Sequence, residues 1–214
     1  MIELNWLYQT LSKHMGPSGW WPADSKQEII IGAILVQNTT WKNADLSLQA
    51  LKNKTNFKPE KILHLTDQEL IETIKPSGFY RNKSRTIKLI YQWFNNRDWN
   101  FLLQNGETKS QLRKELLNIT GIGNETADVY LVYIFDQVEF IPDSYTRRLF
   151  KKLGFSHTNR YEDLKCHITL PQEFTYHEAQ DFHGLIDEFG KIYLKNDVIF
   201  NNSFLAKEIQ LSKS

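Results

Sequence analysis

Cysteine is almost absent from this chain: Cys166 is the single one among 214 residues. One thiol excludes an internal disulfide and a four-cysteine iron–sulfur cluster, and it fits a reducing, cytoplasmic setting. An excess of charge of one sign is lacking too. Lys and Arg number 26 against 25 Asp and Glu, so any affinity for nucleic acid has to come from local patches rather than a global field. No apolar run approaches the ~20 residues of a membrane span, and Met1-Ile2-Glu3-Leu4 does not read as a signal peptide. Strand-like alternation, internal repeats and low-complexity segments are missing as well. What remains is 41% hydrophobic and 13% aromatic, enough for one large or two small domains with a core. Its long Lys/Glu/Leu/Gln-rich stretches predict helices.

The stretch from Leu116 to Arg148 organises the rest. Leu112, Leu116 and Ile119 mark one face of a helix that ends at Thr120-Gly121-Ile122-Gly123. Two glycines there permit backbone angles that other residues avoid, and Ile122 is expected to pin the turn into the core. A second helix starts at Asn124-Glu125, with Ala127, Leu131 and Ile134 inward. Its first amides and positive dipole end suit an anion, so the pattern predicts a helix-hairpin-helix holding a nucleic-acid phosphate. By itself a Gly-x-Gly between helices is an ordinary connection. Eighteen positions after Glu125, a Pro-containing loop delivers Asp143 to the head of another helix, Ser144 to Lys152. A lone Asp there is first of all an N-cap, a role compatible with chemistry.

Further helices are expected up to about Lys13, from Lys26 to the break at Gln37–Thr40, from Lys42 to Leu51, and from Leu65 to Ile74 with Thr66 and Glu69 as a capping box. Others should run from Arg81 to Phe94, as a short turn around Trp99–Leu103, and from Phe174 to Lys195. Arg81, Lys83, Arg85 and Lys88 crowd the start of one of them, where cations oppose the helix dipole, so an external anion is expected to face them. Trp20-Trp21-Pro22 is either core or the wall of a pocket. Trp41, four residues beyond Gln37, can flank the same opening.

The order of hairpin, helix, Pro-loop and Asp resembles the helix-hairpin-helix (HhH-GPD) DNA glycosylase superfamily. It is most similar to the endonuclease III branch, close to the 3-methyladenine DNA glycosylases. The segments GWWPADSKQEIIIGAILVQNTTWKNA and FHGLI…GK (Phe182–Ile186, Gly190–Lys191) carry the likeness further, so that it covers nearly the whole chain. Where relatives begin their cluster cysteines this chain has Leu194 and none beyond. The resemblance implies an all-α, two-lobed fold with a central cleft. One lobe would be residues 26–137; the other would join residues 1–25 to residues 138–214 and carry the catalytic Asp without a cluster. It implies double-stranded DNA with a damaged base as partner, a monomer in the bacterial nucleoid, no cofactor and no metal. Gln37 would be the wedge that fills the gap left by an extruded nucleotide. Thr120, Gly121, Ile122 and Gly123, with Arg81 and Lys83, would contact DNA, and Trp20, Trp21, Pro22, Trp41 and Lys191 would line the base pocket.

Breaking an N-glycosidic bond builds positive charge on the sugar, which a buried carboxylate stabilises while orienting water. By the resemblance Asp143 has that role. Members that also cut the strand place a lysine where this chain has Glu125, and a carboxylate forms no Schiff base. The expected activity is therefore a monofunctional glycosylase of base excision repair for alkylated purines, whose positive charge a tryptophan face attracts. A strand-cutting lyase using another lysine and a non-catalytic DNA-binding module are the alternatives. His183 reads as a core or supporting residue.

Overall fold

The computed structural model describes residues 2–104 and 106–211, and among them every regular element is a helix. Two compact units emerge: Ala23–Phe135, and Met1–Pro22 together with Asp136–Ser214. The chain opens in the second of these with α1 (Leu4–Met15) and then passes into the first. There it forms α2 (Lys26–Leu35), α3 (Trp41–Thr55), α4 (Pro59–His64), α5 (Asp67–Ile74), a 3-10 turn (Lys75–Ser77), α6 (Tyr80–Asn96), α7 (Lys109–Leu117) and α8 (Asn124–Tyr133). It returns for α9 (Ser144–Lys152), α10 (Tyr161–Lys165), α11 (Tyr176–Tyr193), α12 (Asp197–Asn201) and α13 (Phe204–Leu211).

The unit Ala23–Phe135 is built around α2. Ile30, Ile31, Ala33, Ile34 and Leu35 leave it no polar face, and a helix apolar all round has to be surrounded. It packs against α3, α6 and α8, and the buried Tyr130 hydroxyl of α8 donates to Ile30 O at 2.7 Å. Stops and starts follow local chemistry: Thr66 and Glu69 close the expected capping box on α5, and Thr108 with Gln111 closes one on α7. Trp99–Leu103 is an irregular loop rather than the helical turn expected there, because Asp98 and Trp99 adopt left-handed backbone and fold the Trp99 ring onto Phe94, 5.3 Å between centroids.

In the other unit α11 is central. Phe182, Leu185, Ile186 and Phe189 face inward, against α1 (Leu7, Leu11) and α9 (Leu149, Phe150). Beyond Leu194 the short α12 and α13 bring Phe200 and Phe204 edge-on to Phe189, and His14 of α1 stacks on Phe204 at 4.4 Å. Aromatic packing therefore holds the segment beyond Leu194 against α11 and α1.

Candidate active site

In the first unit the hairpin takes the expected form. Ile122 is 5% exposed and its amide closes the turn on Ile119 O at 3.0 Å. Gly121 is irreplaceable there: its φ is +93°, and a Cβ would lie 1.9 Å from the Thr86 hydroxyl of α6. That hydroxyl sits 3.1 Å from Thr120 O, tying α6 to the turn. Gly123 departs from expectation. Its φ of −94° is open to any residue and nothing lies within 4 Å of an added Cβ, so only the close approach of a ligand would favour glycine there. Gly123 is the N-cap of α8 and provides no side-chain cap. The first turn of α8 presents the positive end of the helix dipole, which suits an anion, and Glu125 lies exposed in that turn. The hairpin's helices are locked by Arg113 of α7, whose Nε donates to Asp128 Oδ1 of α8 at 2.7 Å, the carboxylate being fully buried.

Gln37, just past α2, reaches the hairpin: Nε2 donates to Gly121 O at 3.2 Å and to the Thr126 hydroxyl at 2.9 Å. Insertion as a wedge would require it to leave these partners. The basic cluster on α6 divides in two. Arg81 and Arg85 are exposed. Lys83 is 3% exposed, and its ammonium donates to Leu35 O at 2.8 Å and Ser77 O at 2.7 Å. It caps the ends of α2 and the 3-10 turn, so its ammonium is turned inward and not to the surface where the sequence reading placed it. Burial lowers it from the ordinary lysine value to about 8. Lys88 likewise turns to the carbonyls of Ile62, Leu63 and Leu65 at the end of α4. Sequence reasoning did not single out Phe79, whose ring is 66% exposed on a left-handed backbone immediately before α6. The signal was an aromatic directly after Gly78 in a turn. Trp41 is the half-buried first residue of α3.

In the second unit Asp143 is 9% exposed and is the N-cap of α9. Its Oδ1 accepts from the Thr146 amide at 2.7 Å, which leaves Oδ2 for other work. The loop that delivers it is pinned by two cations: Arg147 donates to Pro142 O at 2.9 Å, and Lys165 donates to Phe140 O at 2.9 Å while pairing with Glu139 at 3.0 Å. Facing Oδ2 at 3.8 Å is Nε2 of His183 on α11. One and two turns on, Asp187 pairs with Lys191, whose ammonium sits 4.5 Å from the centre of the Trp20 ring. Trp20 and Trp21 are half-buried with ring centres 5.3 Å apart, and Pro22 beside them is exposed. Their loop is anchored on α11: Asp181 accepts from the Ser18 amide at 2.7 Å and from the Tyr8 hydroxyl at 3.2 Å, and burial together with the Asp181 charge pushes Tyr8 up to about 12. Two α11 glycines allow this closeness, since a Cβ on Gly184 would meet Trp20 at 2.4 Å and one on Gly190 would meet Tyr145 at 2.3 Å. The structure thus brings Asp143, His183, Lys191 and the tryptophan pair together in one unit, and the hairpin, Gln37 and Thr86 of α6 together in the other. Chemically, the first group offers a fixed carboxylate beside aromatic faces. The second offers a phosphate cradle with the Gln37 amide against it.

The family model described as HhH-GPD superfamily base excision DNA repair protein matches residues 31–172. A protein of Methanocaldococcus jannaschii, named among the DNA repair glycosylases, is 34% identical over 97% of this chain and 95% of its own length. The endonuclease III of Sulfolobus acidocaldarius is 30% identical over 76% of this chain and 71% of its own. Among solved structures, the H. pylori 3-methyladenine DNA glycosylase MagIII, bound to 1,N6-ethenoadenine, superposes with a TM-score of 0.68 at 27% identity. That match covers 89% of this chain and 97% of that one.

Proposed function

The chain belongs to the HhH-GPD superfamily of base excision DNA repair proteins and is a DNA glycosylase, and on that premise we propose that it hydrolyses the N-glycosidic bond of damaged nucleotides through Asp143, without cutting the strand. The observation that carries this reading is the setting of Asp143: buried, one oxygen held by the helix amide and the other left for the sugar. As the base departs, a fixed negative charge stabilises the developing cation without having to reorganise, and the same oxygen can orient a water. Strand cutting by the lysine of the family's bifunctional members has no counterpart here, because Glu125 stands at that position and cannot form a Schiff base.

DNA is held, on this reading, by the hairpin amides and by Arg81, both blind to sequence. Gln37 occupies the space of a base lifted out of the stack. Trp20 and Trp21 offer aromatic faces on which a flipped base stacks, each contact contributing ~1–3 kcal/mol. An alkylated purine is the favoured substrate, supported by these aromatic faces and by the similarity to a 3-methyladenine glycosylase. The test is a panel of duplexes carrying alkylated, oxidised or mismatched bases, each analysed with and without hot alkali. The expected result is strand breaks at alkylated purines after alkali only. Breaks without alkali would favour the lyase reading, to which the endonuclease III relative lends its likeness. No release from any alkylated duplex would overturn the substrate class.

A further inference from the structure

His183 lies on the α11 face that also bears Asp187 and Lys191, with its ring almost enclosed and Nε2 turned to the oxygen of Asp143 that the helix cap leaves over. At 3.8 Å the two atoms are one small side-chain adjustment from a hydrogen bond. We propose that His183 is a positioning residue that gates Asp143 by its protonation state: neutral, it packs against the carboxylate and leaves its charge intact, while protonated it pairs with Oδ2 and cancels that charge. The proposal rests on Asp143 being the working carboxylate.

Every charged group around the ring has a defined effect. Burial disfavours the imidazolium and holds His183 below the ordinary histidine value. Asp143 from the head of α9 and Asp187 one turn along α11 oppose this, and Lys191 adds to it. Glu139, from the loop before α9, lines the same crevice but is paired with Lys165. Tyr8 of α1 is turned to Asp181. The neutral form therefore prevails above the ordinary histidine range, and acid converts the Asp143 neighbour from spectator to counter-ion. An exposed histidine at the same distance would feel the carboxylate only weakly, through water and salt. The crevice couples the two groups because little solvent separates them.

Two measurements test the gate. In the first, ring-labelled histidine is followed by NMR through a pH titration of the wild type and of Asp143→Asn. Losing the carboxylate removes the larger of the two charges that favour the imidazolium, so the His183 midpoint is expected to fall; an unchanged midpoint would overturn the proposal whatever the enzyme's substrate. In the second, base release from duplex DNA treated with a methylating agent is followed under single turnover for the wild type and His183→Gln. The wild-type rate is expected to drop about tenfold per pH unit below the His183 midpoint. In the glutamine variant, which packs and hydrogen-bonds but does not titrate, the rate should match the wild type above neutrality and hold to lower pH. Identical acid limbs in both proteins would overturn the gate, whereas Asp143→Asn releasing base at the wild-type rate would overturn the catalytic reading instead. If His183→Gln melts below assay temperature, His183→Asn and the NMR arm decide.

Discussion

At the scale of single residues, the two hairpin glycines should respond differently. Gly121→Val sets a branched side chain at positive φ and drives it into the Thr86 hydroxyl. Loss of affinity for damaged and undamaged duplexes alike is expected, with earlier melting. Gly123→Ala should melt like the wild type, since that Cβ meets nothing, and lose affinity only if a phosphate approaches there. Filter binding beside thermal denaturation separates the two. If Gly121→Val lost affinity for damaged DNA alone, the hairpin would be reading the lesion.

Lys83 and Arg81 make a second contrast. Lys83→Met orphans two carbonyls and should lower stability by about 1–3 kcal/mol, with DNA binding unaffected in the folded protein. Arg81→Ala should leave stability alone and reduce the slope of log affinity against log salt by about one. Lys83 titrates at about 8 in the folded chain and at 10.5 when free. Between those values the unfolded chain holds more protons, so its contribution makes stability rise with pH across that window. Chemical denaturation at pH 8 and pH 10 should show this component in the wild type and not in Lys83→Met. A salt slope altered by Lys83→Met would return that lysine to the DNA surface. Nothing in the sequence announced its inward turn: its two acceptors come from positions 48 and 6 residues away. Local charge crowding looks the same whether a lysine faces water or a helix end.

At the scale of elements, what was legible had a local cause. Thr66 with Glu69, Asp143 before Ser144 and Gly121 in its turn each satisfy a backbone need within a few residues, and each appears as read. The long α11 was visible through its apolar spacing. The short α4, α10, α12 and α13 were not, because five to eight residues carry too few turns for periodicity, and their burial is decided by distant partners such as Phe189. The brace between α7 and α8 was equally hidden. Arg113→Leu would take the guanidinium away from the buried Asp128 carboxylate, a loss of about 3–5 kcal/mol where a buried partner is removed. Denaturant unfolding should show that loss. Restoration of stability by Arg113→Leu with Asp128→Leu would confirm that the buried charge was its cause; a wild-type midpoint in Arg113→Leu alone would refute the brace.

At the scale of the whole molecule, near-zero net charge and a lone cysteine said little about function, while the order of hairpin, loop and Asp said most of it. The family followed from that order. The pairing of His183 with Asp143 did not, because 40 residues separate them and a helical histidine gives no sign of which carboxylate it will meet. The Trp20 loop and α11 are joined by Gly184 and Asp181, neither of which reads as functional in a one-dimensional pattern.

Hydrolysis by Asp143 is tested most directly by single-turnover base release from an alkylated duplex, comparing the wild type with Asp143→Asn while filter binding reports affinity for the same DNA. The wild type is expected to release base and leave a strand that breaks only in hot alkali. Asp143→Asn should bind within a few-fold of the wild type, yet release base at least about a hundredfold more slowly, as when comparable electrostatic stabilisation is removed. Base release by Asp143→Asn at the wild-type rate, or strand breaks without alkali in the wild type, would contradict it.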